Sequence, residues 1–150
     1  MNAQKLTQKA LEAIQTAQNI AIENQNIQIL PEHLFYALLD GEDGLVNNLF
    51  RKMGKNPDAL LAETDTLIRK LPAVSGSGRE PDKVYISPLT DKILTAAEKL
   101  AAGMKDEYIS VEHLFLGMLE APNGAMKEMF KTFGITRDEF LKVLNDVRGG

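Results

Sequence analysis

The 150-residue sequence contains no cysteine and no tryptophan, and it has only two histidines. Without cysteine, neither disulfides nor thiolate metal sites can form, and a nucleophilic Cys-His pair is excluded; a reducing, cytoplasmic setting fits this usage. No apolar run approaches the roughly 18–20 residues of a membrane span, and the N-terminal residues are polar rather than signal-like. Charge is balanced as well: 17 Lys and Arg against 21 Asp and Glu give a net charge of -4, with the basic residues scattered. No stripe exists to track phosphates, so nucleic acid and membrane surfaces are not expected partners.

Catalytic motifs are missing too. The Gly76-Ser77-Gly78 stretch continues as Arg79-Glu80-Pro81, lacking the lysine and the helix start of a phosphate-binding loop. No G-x-S-x-G elbow is present, and two histidines leave little material for a triad. This chain is therefore expected to be no enzyme and to hold no metal or cofactor of its own.

What the sequence does have is an internal duplication. Pro31-Glu32-His33-Leu34-Phe35 recurs as Val111-Glu112-His113-Leu114-Phe115, and the offset of 80 persists without a gap. Thr7 falls on Ser87, Ala17 on Ala97, Ile29 on Ile109, Phe50 on Phe130 and Gly54 on Gly134. Two long copies are too few for an open solenoid, so a closed, pseudo-symmetric pair sharing one core is the expected arrangement.

Periodicity fills each copy with helices. Leu6, Ala10, Leu11, Ile14, Ala17, Ala21 and Ile22 recur at three- and four-residue steps, with Thr7 placed to cap the start. Pro31 suits a first helical position and opens a second helix to about Asp40. Leu45 to Met53 forms a third, stopped at Gly54, and Asn56-Pro57 restarts a fourth through Ile68. The second copy repeats the set: Ser87-Pro88 to Ala102, Ser110 to Leu119, Gly124 to Phe133, and a last helix opened by the Thr136–Glu139 capping box. The expected class is all-α, eight helices in two four-helix repeats, with no sheet required. Repeat one spans about 1–70, a Gly/Ser/Pro-rich connector about 71–84, and repeat two about 85–148, all in one domain 1–150. Val84, Tyr85 and Ile86 are expected to tack the connector back onto the fold. Arg148-Gly149-Gly150 reads as the frayed start of a tether, so that a natural chain would continue.

The paired Glu-His dipeptides raise the idea of metal or acid–base chemistry. Adjacent helical residues point about 100° apart, however, and neither segment has the i, i+4 histidine spacing of a zinc face. Each glutamate sits instead in a first helical turn, where a carboxylate favours the positive end of the dipole. The histidines are expected to fill the boundary between copies as hydrogen-bonded neutral rings. A helix-turn-helix reading fails because Glu32–Asp40 and Glu112–Glu120 carry acids where a recognition helix needs bases. A cleft at the boundary, with Leu89, Ile93 and Leu94 nearby and Asp106 and Glu112 at its rim, is the expected ligand site.

Tandem helical repeats with Glu-His-Leu-Phe at the second helix, followed by Leu-Leu or Met-Leu steps, resemble the Clp N-terminal domain across the whole chain. The connector Leu71–Gly78 and the ending Val147–Gly150 are similar to the ClpB disaggregase branch of that family. The resemblance implies a substrate-recruiting module of a hexameric machine whose ATP and Mg²⁺ lie in separate ATPase modules. Its expected partners are unfolded or aggregated protein segments, possible adaptor proteins and the rest of the machine; the isolated domain is expected to be monomeric. Carried over by motif, the substrate-binding set is Thr7, Leu94, Ala96, Asp106, Glu112 and His113. A ClpC-like alternative places adaptor or phosphoarginine recognition at Glu32 and Glu112, and a structural docking role is a third possibility.

Overall fold

The structure is a computed structural model that describes residues 2–41, 43–74, 83–121 and 124–149. Among them run eight α-helices, in the order the sequence leads one to expect. Repeat one holds α1 (Gln8–Glu23), α2 (Pro31–Leu39), α3 (Leu45–Lys52) and α4 (Pro57–Arg69). Repeat two holds α5 (Pro88–Gly103), α6 (Val111–Glu120), α7 (Gly124–Phe133) and α8 (Arg137–Arg148). Residues 75–82 of the expected connector lie outside the described residues.

Starts and stops follow side-chain chemistry. Thr7 Oγ1 accepts from the Ala10 N–H at 3.1 Å, and its repeat partner Ser87 Oγ accepts from the Thr90 N–H at 3.1 Å. Asn56 and Thr136 cap α4 and α8 in the same way, at 2.9 Å and 3.2 Å. Gly54 ends α3 at φ 75°, a left-handed conformation that only glycine adopts without strain.

The first helix starts at Gln8, directly after the Thr7 cap, and the residues ahead of it pair with the other repeat. The Thr7 N–H donates to Ile109 O at 3.0 Å and the Ile109 N–H to Lys5 O at 2.8 Å. One repeat later, the Ser87 N–H donates to Ile29 O at 3.1 Å. There the chain makes a two-stranded parallel sheet, β1 (Gln28–Ile29) against β2 (Tyr85–Ile86), in which Ile29 faces Ile86. No strand was expected from the periodicity; two residues are too short to carry an alternation. Tyr85 and Ile86 thus do tack the connector back, and the lead-in of each first helix pairs with the lead-in of the other repeat's second helix. Thr90 Oγ1 adds a side-chain bond to Ile29 O at 2.8 Å. The halves are therefore laced together by backbone as well as by packing.

Between them lies a cluster of five phenylalanines: Phe140 packs on Phe115 at 4.7 Å and on Phe50 at 6.0 Å, and the other four obey the pseudo-twofold. Phe35 and Phe115, equivalent positions of α2 and α6, stack at 5.6 Å across the axis. Phe35 meets Phe130 edge-on at 5.3 Å, and Phe115 meets Phe50 edge-on at 5.1 Å. Within the repeats, Phe35–Phe50 and Phe115–Phe130 stand at 6.1 and 5.7 Å. All four rings are at most 4% exposed. Edge-to-face pairs of this kind contribute about 0.5–1.5 kcal/mol each beyond area burial. Met118, Met126 and Met129 also sit in this core, none above 4% exposed.

The symmetry breaks at one small residue. A Cβ on Gly117 of α6 would lie 2.6 Å from Ile93 O and 3.1 Å from Ala97 N. Only glycine lets α5 lie so flush on α6, whereas the equivalent residue of α2 is Ala37.

The cap that starts α1 is testable. Thr7→Ala should lower unfolding free energy by about 0.5–2 kcal/mol while the helical circular dichroism is kept; an unchanged denaturation midpoint would show that this hydroxyl is not holding the helix end.

Candidate functional site

At the start of α2 and α6 the two Glu-His dipeptides build the same polar frame. His33 Nδ1 accepts from the Leu30 N–H at 2.9 Å, and His113 Nδ1 accepts from the Ser110 N–H at 2.8 Å. An acceptor nitrogen carries no proton, so in both rings the hydrogen sits on Nε2 and is donated onward. His33 Nε2 meets Asn26 Oδ1 at 2.9 Å, and His113 Nε2 meets Asp106 Oδ2 at 2.7 Å. Both rings are 0% exposed. Each spends both nitrogens within its own repeat, so the dipeptides do not converge on a common acid–base site. Among the described residues no cluster of three or more ligating side chains could hold a metal ion.

The loops that deliver the two acceptors are alike. Gln25 and Lys105 take the left-handed conformation at φ 58° and 61°. This turns the chain sharply after α1 and α5 and brings Asn26 or Asp106 back onto the histidine seven residues on.

The repeats then diverge in charge. Asn26 is neutral and also donates from Nδ2 to Pro72 O at 3.1 Å. Asp106 is a carboxylate and binds Arg148 Nη1 at 2.9 Å, while Arg148 Nη2 reaches Glu112 Oε2 at 3.0 Å. One guanidinium thus spans two carboxylates, with Asp106 shared between it and His113. The repeat-one counterpart of Arg148 is Ile68, buried at 2% exposure. Where repeat two has Asp106 and Arg148 in contact, repeat one has Asn26 and Ile68. Partial burial acts to raise the Asp106 pKa, but the hydrogen bonds from Arg148 and His113 outweigh it and hold the carboxyl below its usual range. Arg148, correspondingly, is held further toward its charged form. Glu112 is 6% exposed, and its second oxygen, Oε1, is buried without a hydrogen-bond partner among the described residues.

Arg148 is therefore no frayed tether. It is the last residue of α8, closed by Gly149 at φ 81°. Reading the tail as loose missed the most connected cation of the site. The signal was available in the offset of 80, which aligns Asn26 with Asp106 and Ile68 with Arg148.

The other expected site residues are spread out. Thr7 is half-buried at the start of α1, with its hydroxyl turned to its own helix. Ala96 is partly exposed on α5, but Leu94 on the same helix is 3% exposed and packs in the core. Leu94 and His113 thus present no accessible surface. Glu32 is buried at 5% exposure in the first turn of α2. Phenylalanines, rather than an open cleft, occupy the boundary between α2 and α6. An open groove of about 480 Å³ lies instead on repeat one, between α1, the end of α2 and the start of α3, and it touches repeat two only at Val111.

Burial sets a distinct pH response for the first frame. His33 is lowered from 6.5 to about 4 by desolvation. The unfolded chain takes up this proton near pH 6.5 and the folded chain only near 4. The associated stability is complete above pH 6.5 and declines toward pH 4, by on the order of 3 kcal/mol. Proton NMR of the His33 ring should give a midpoint near 4; a midpoint near 6.5 would contradict the buried neutral frame.

Comparison with known proteins places this geometry. A family model described as the Clp repeat (R) N-terminal domain matches residues 5–133. A protein named chaperone protein ClpB from Clostridium perfringens is 39% identical over 150 residues, 99% of this chain, and one from Rhodopseudomonas palustris is 33% identical over all of it. In both, the matched region is 17% of the relative, so the chain spans about a sixth of their length. The Hsp104 N-terminal domain from Candida albicans shares the fold, with a TM-score of 0.82 and 24% identity over 97% of this chain and 92% of that one. A ClpV N-domain solved as a complex with VipB peptide aligns with a TM-score of 0.74 and 20% identity over 95% of this chain and 86% of that one.

Proposed function

The chain belongs to the Clp repeat N-terminal domain family, and from that premise we propose that it recruits unfolded or aggregated polypeptides, directly or through adaptors, to a hexameric ClpB-type disaggregase. The observation that carries this reading is the match of 99% of the chain to ClpB chaperones at 39% identity. The solved pairing of a ClpV N-domain with a VipB peptide supports peptide capture as the mode of action. On this reading the domain works by binding, as a cytoplasmic monomer when isolated. Catalysis, ATP and Mg²⁺ belong to ATPase modules of a longer protein. No helix among the described residues is long and apolar enough to cross a membrane.

The roles we assign follow exposure. Asp106 offers a partly exposed charge just ahead of α6, backed by the buried Glu112, and Thr7 and Ala96 contribute partly exposed surface. Leu94 and His113 act from beneath, by fixing the helices that carry the others.

A second reading has one observation in its favour: Asp106 and Glu112 already clasp a guanidinium. An arginine or phosphoarginine of a client or adaptor would take that socket by displacing Arg148, with Glu32 as the corresponding acid of repeat one.

Amide shifts recorded while an unfolded, permanently reduced protein is titrated into the labelled domain test the main reading. Shifts confined to surface residues of the helices are expected, and a spectrum unchanged at millimolar client would overturn it. Free phosphoarginine should bind Arg148→Ala more tightly than the parent if the socket is the site; equal binding would remove the second reading. Deleting residues 1–150 from the full-length machine should impair client capture and leave the ring assembled. Loss of the ring with capture intact would favour a docking role.

A further inference from the structure

We propose that the open groove of repeat one is a docking site for a short apolar segment carrying basic residues, a client class that rests on the polypeptide-binding reading above and narrows it. The groove exists because the two repeats pack differently. In repeat two, Gly117 lets the backbones of α5 and α6 come into contact. In repeat one the equivalent Ala37 carries a methyl group, α1 presents Ala13 where α5 presents Ile93, and a depression of about 480 Å³ stays open. That volume lies in the roughly 300–1,000 Å³ range of ligand clefts.

Its chemistry has two parts. The floor is apolar, made of Ala13, Ala37, Leu38, Val46 and the half-buried Leu45 and Val111. The rim holds the exposed Glu12, Asp40 and Asp43 against a single exposed lysine, Lys9, which stands 3.6 Å from Glu12. Three carboxylates to one ammonium leave the mouth negative. An apolar segment flanked by Lys or Arg gains from that field, and one flanked by Asp or Glu is repelled.

This acidity is not a property of the repeat as such. At the positions equivalent to Lys9, Glu12 and Asp40 the second repeat carries Leu89, Lys92 and Glu120. The opening and the negative rim thus occur together, on the same copy. A groove left open without selective use needs no matching charge around its edge.

Two synthetic 12-residue peptides with the same leucine and phenylalanine positions, one filled in with lysine and the other with glutamate, provide the test by NMR titration of the labelled chain. At low salt the lysine peptide should bind about tenfold more tightly than the glutamate peptide, a preference that salt should erode. Its shifts should gather on residues 9–16 and 37–46. Asp40→Asn with Asp43→Asn, both at exposed positions, should shrink the preference to about twofold. Ala13→Ile, which installs the residue of repeat two, should weaken both peptides. Equal affinity of the two peptides, or a preference untouched by the double substitution, would overturn the proposal. Binding that maps to Asp106 and Glu112 instead would overturn the groove and leave polypeptide capture standing. Absence of binding by either peptide, together with a silent unfolded-protein titration, would remove both.

Discussion

The stack of Phe35 on Phe115 across the pseudo-twofold is the contact from which the rest of the domain is organised. Every other ring in the cluster takes its place relative to these two, and the matched distances on either side show two copies of one unit meeting face to face. A four-helix unit of this size has one large apolar face, and burying it against an identical face doubles the core without adding a new element. The reciprocal backbone bonds of Thr7 with Ile109 and Ser87 with Ile29 fix the angle at which the faces meet. Phenylalanines occupy the boundary between α2 and α6, and the open groove among the described residues lies beside it, on repeat one.

The two copies show clear departures from their own symmetry. Pairs of equivalent positions carry them. Asn26 and Ile68 give a neutral, buried helix start in one copy, whereas Asp106 and Arg148 give a charged one in the other. At Gly117 the second copy's first two helices lie flush, where the first copy carries the methyl group of Ala37. The part common to the two frames, a histidine accepting from the residue three before it, holds the helix start in place, while the acceptor on its other side is Asn26 in one copy and Asp106 in the other. One scaffold therefore offers two chemically different surfaces.

Much of this was legible in the sequence. The eight helices follow from three- and four-residue apolar steps and from hydroxyl, proline and glycine punctuation, and the fixed offset announced the paired halves. The neutral, hydrogen-bonded state of His33 and His113 was also readable, because two histidines in first turns have a backbone N–H within reach. What was not readable depends on distance between remote segments. The two-residue strand pair leaves no alternation to see. The position of the groove depends on how closely two helices approach, which one methyl group controls. Leu94 looks the same in a pattern whether it faces a groove or a core, and Arg148, followed by two glycines, gives no local sign of the acids it reaches.

The most direct check on a shared core is a double-mutant cycle on its central pair, Phe35→Leu and Phe115→Leu, by urea denaturation. The account predicts one cooperative transition in all four proteins and a coupling energy of about 0.5–1.5 kcal/mol between the two sites. Effects that add to within about 0.3 kcal/mol, or halves that unfold in separate steps, would contradict it.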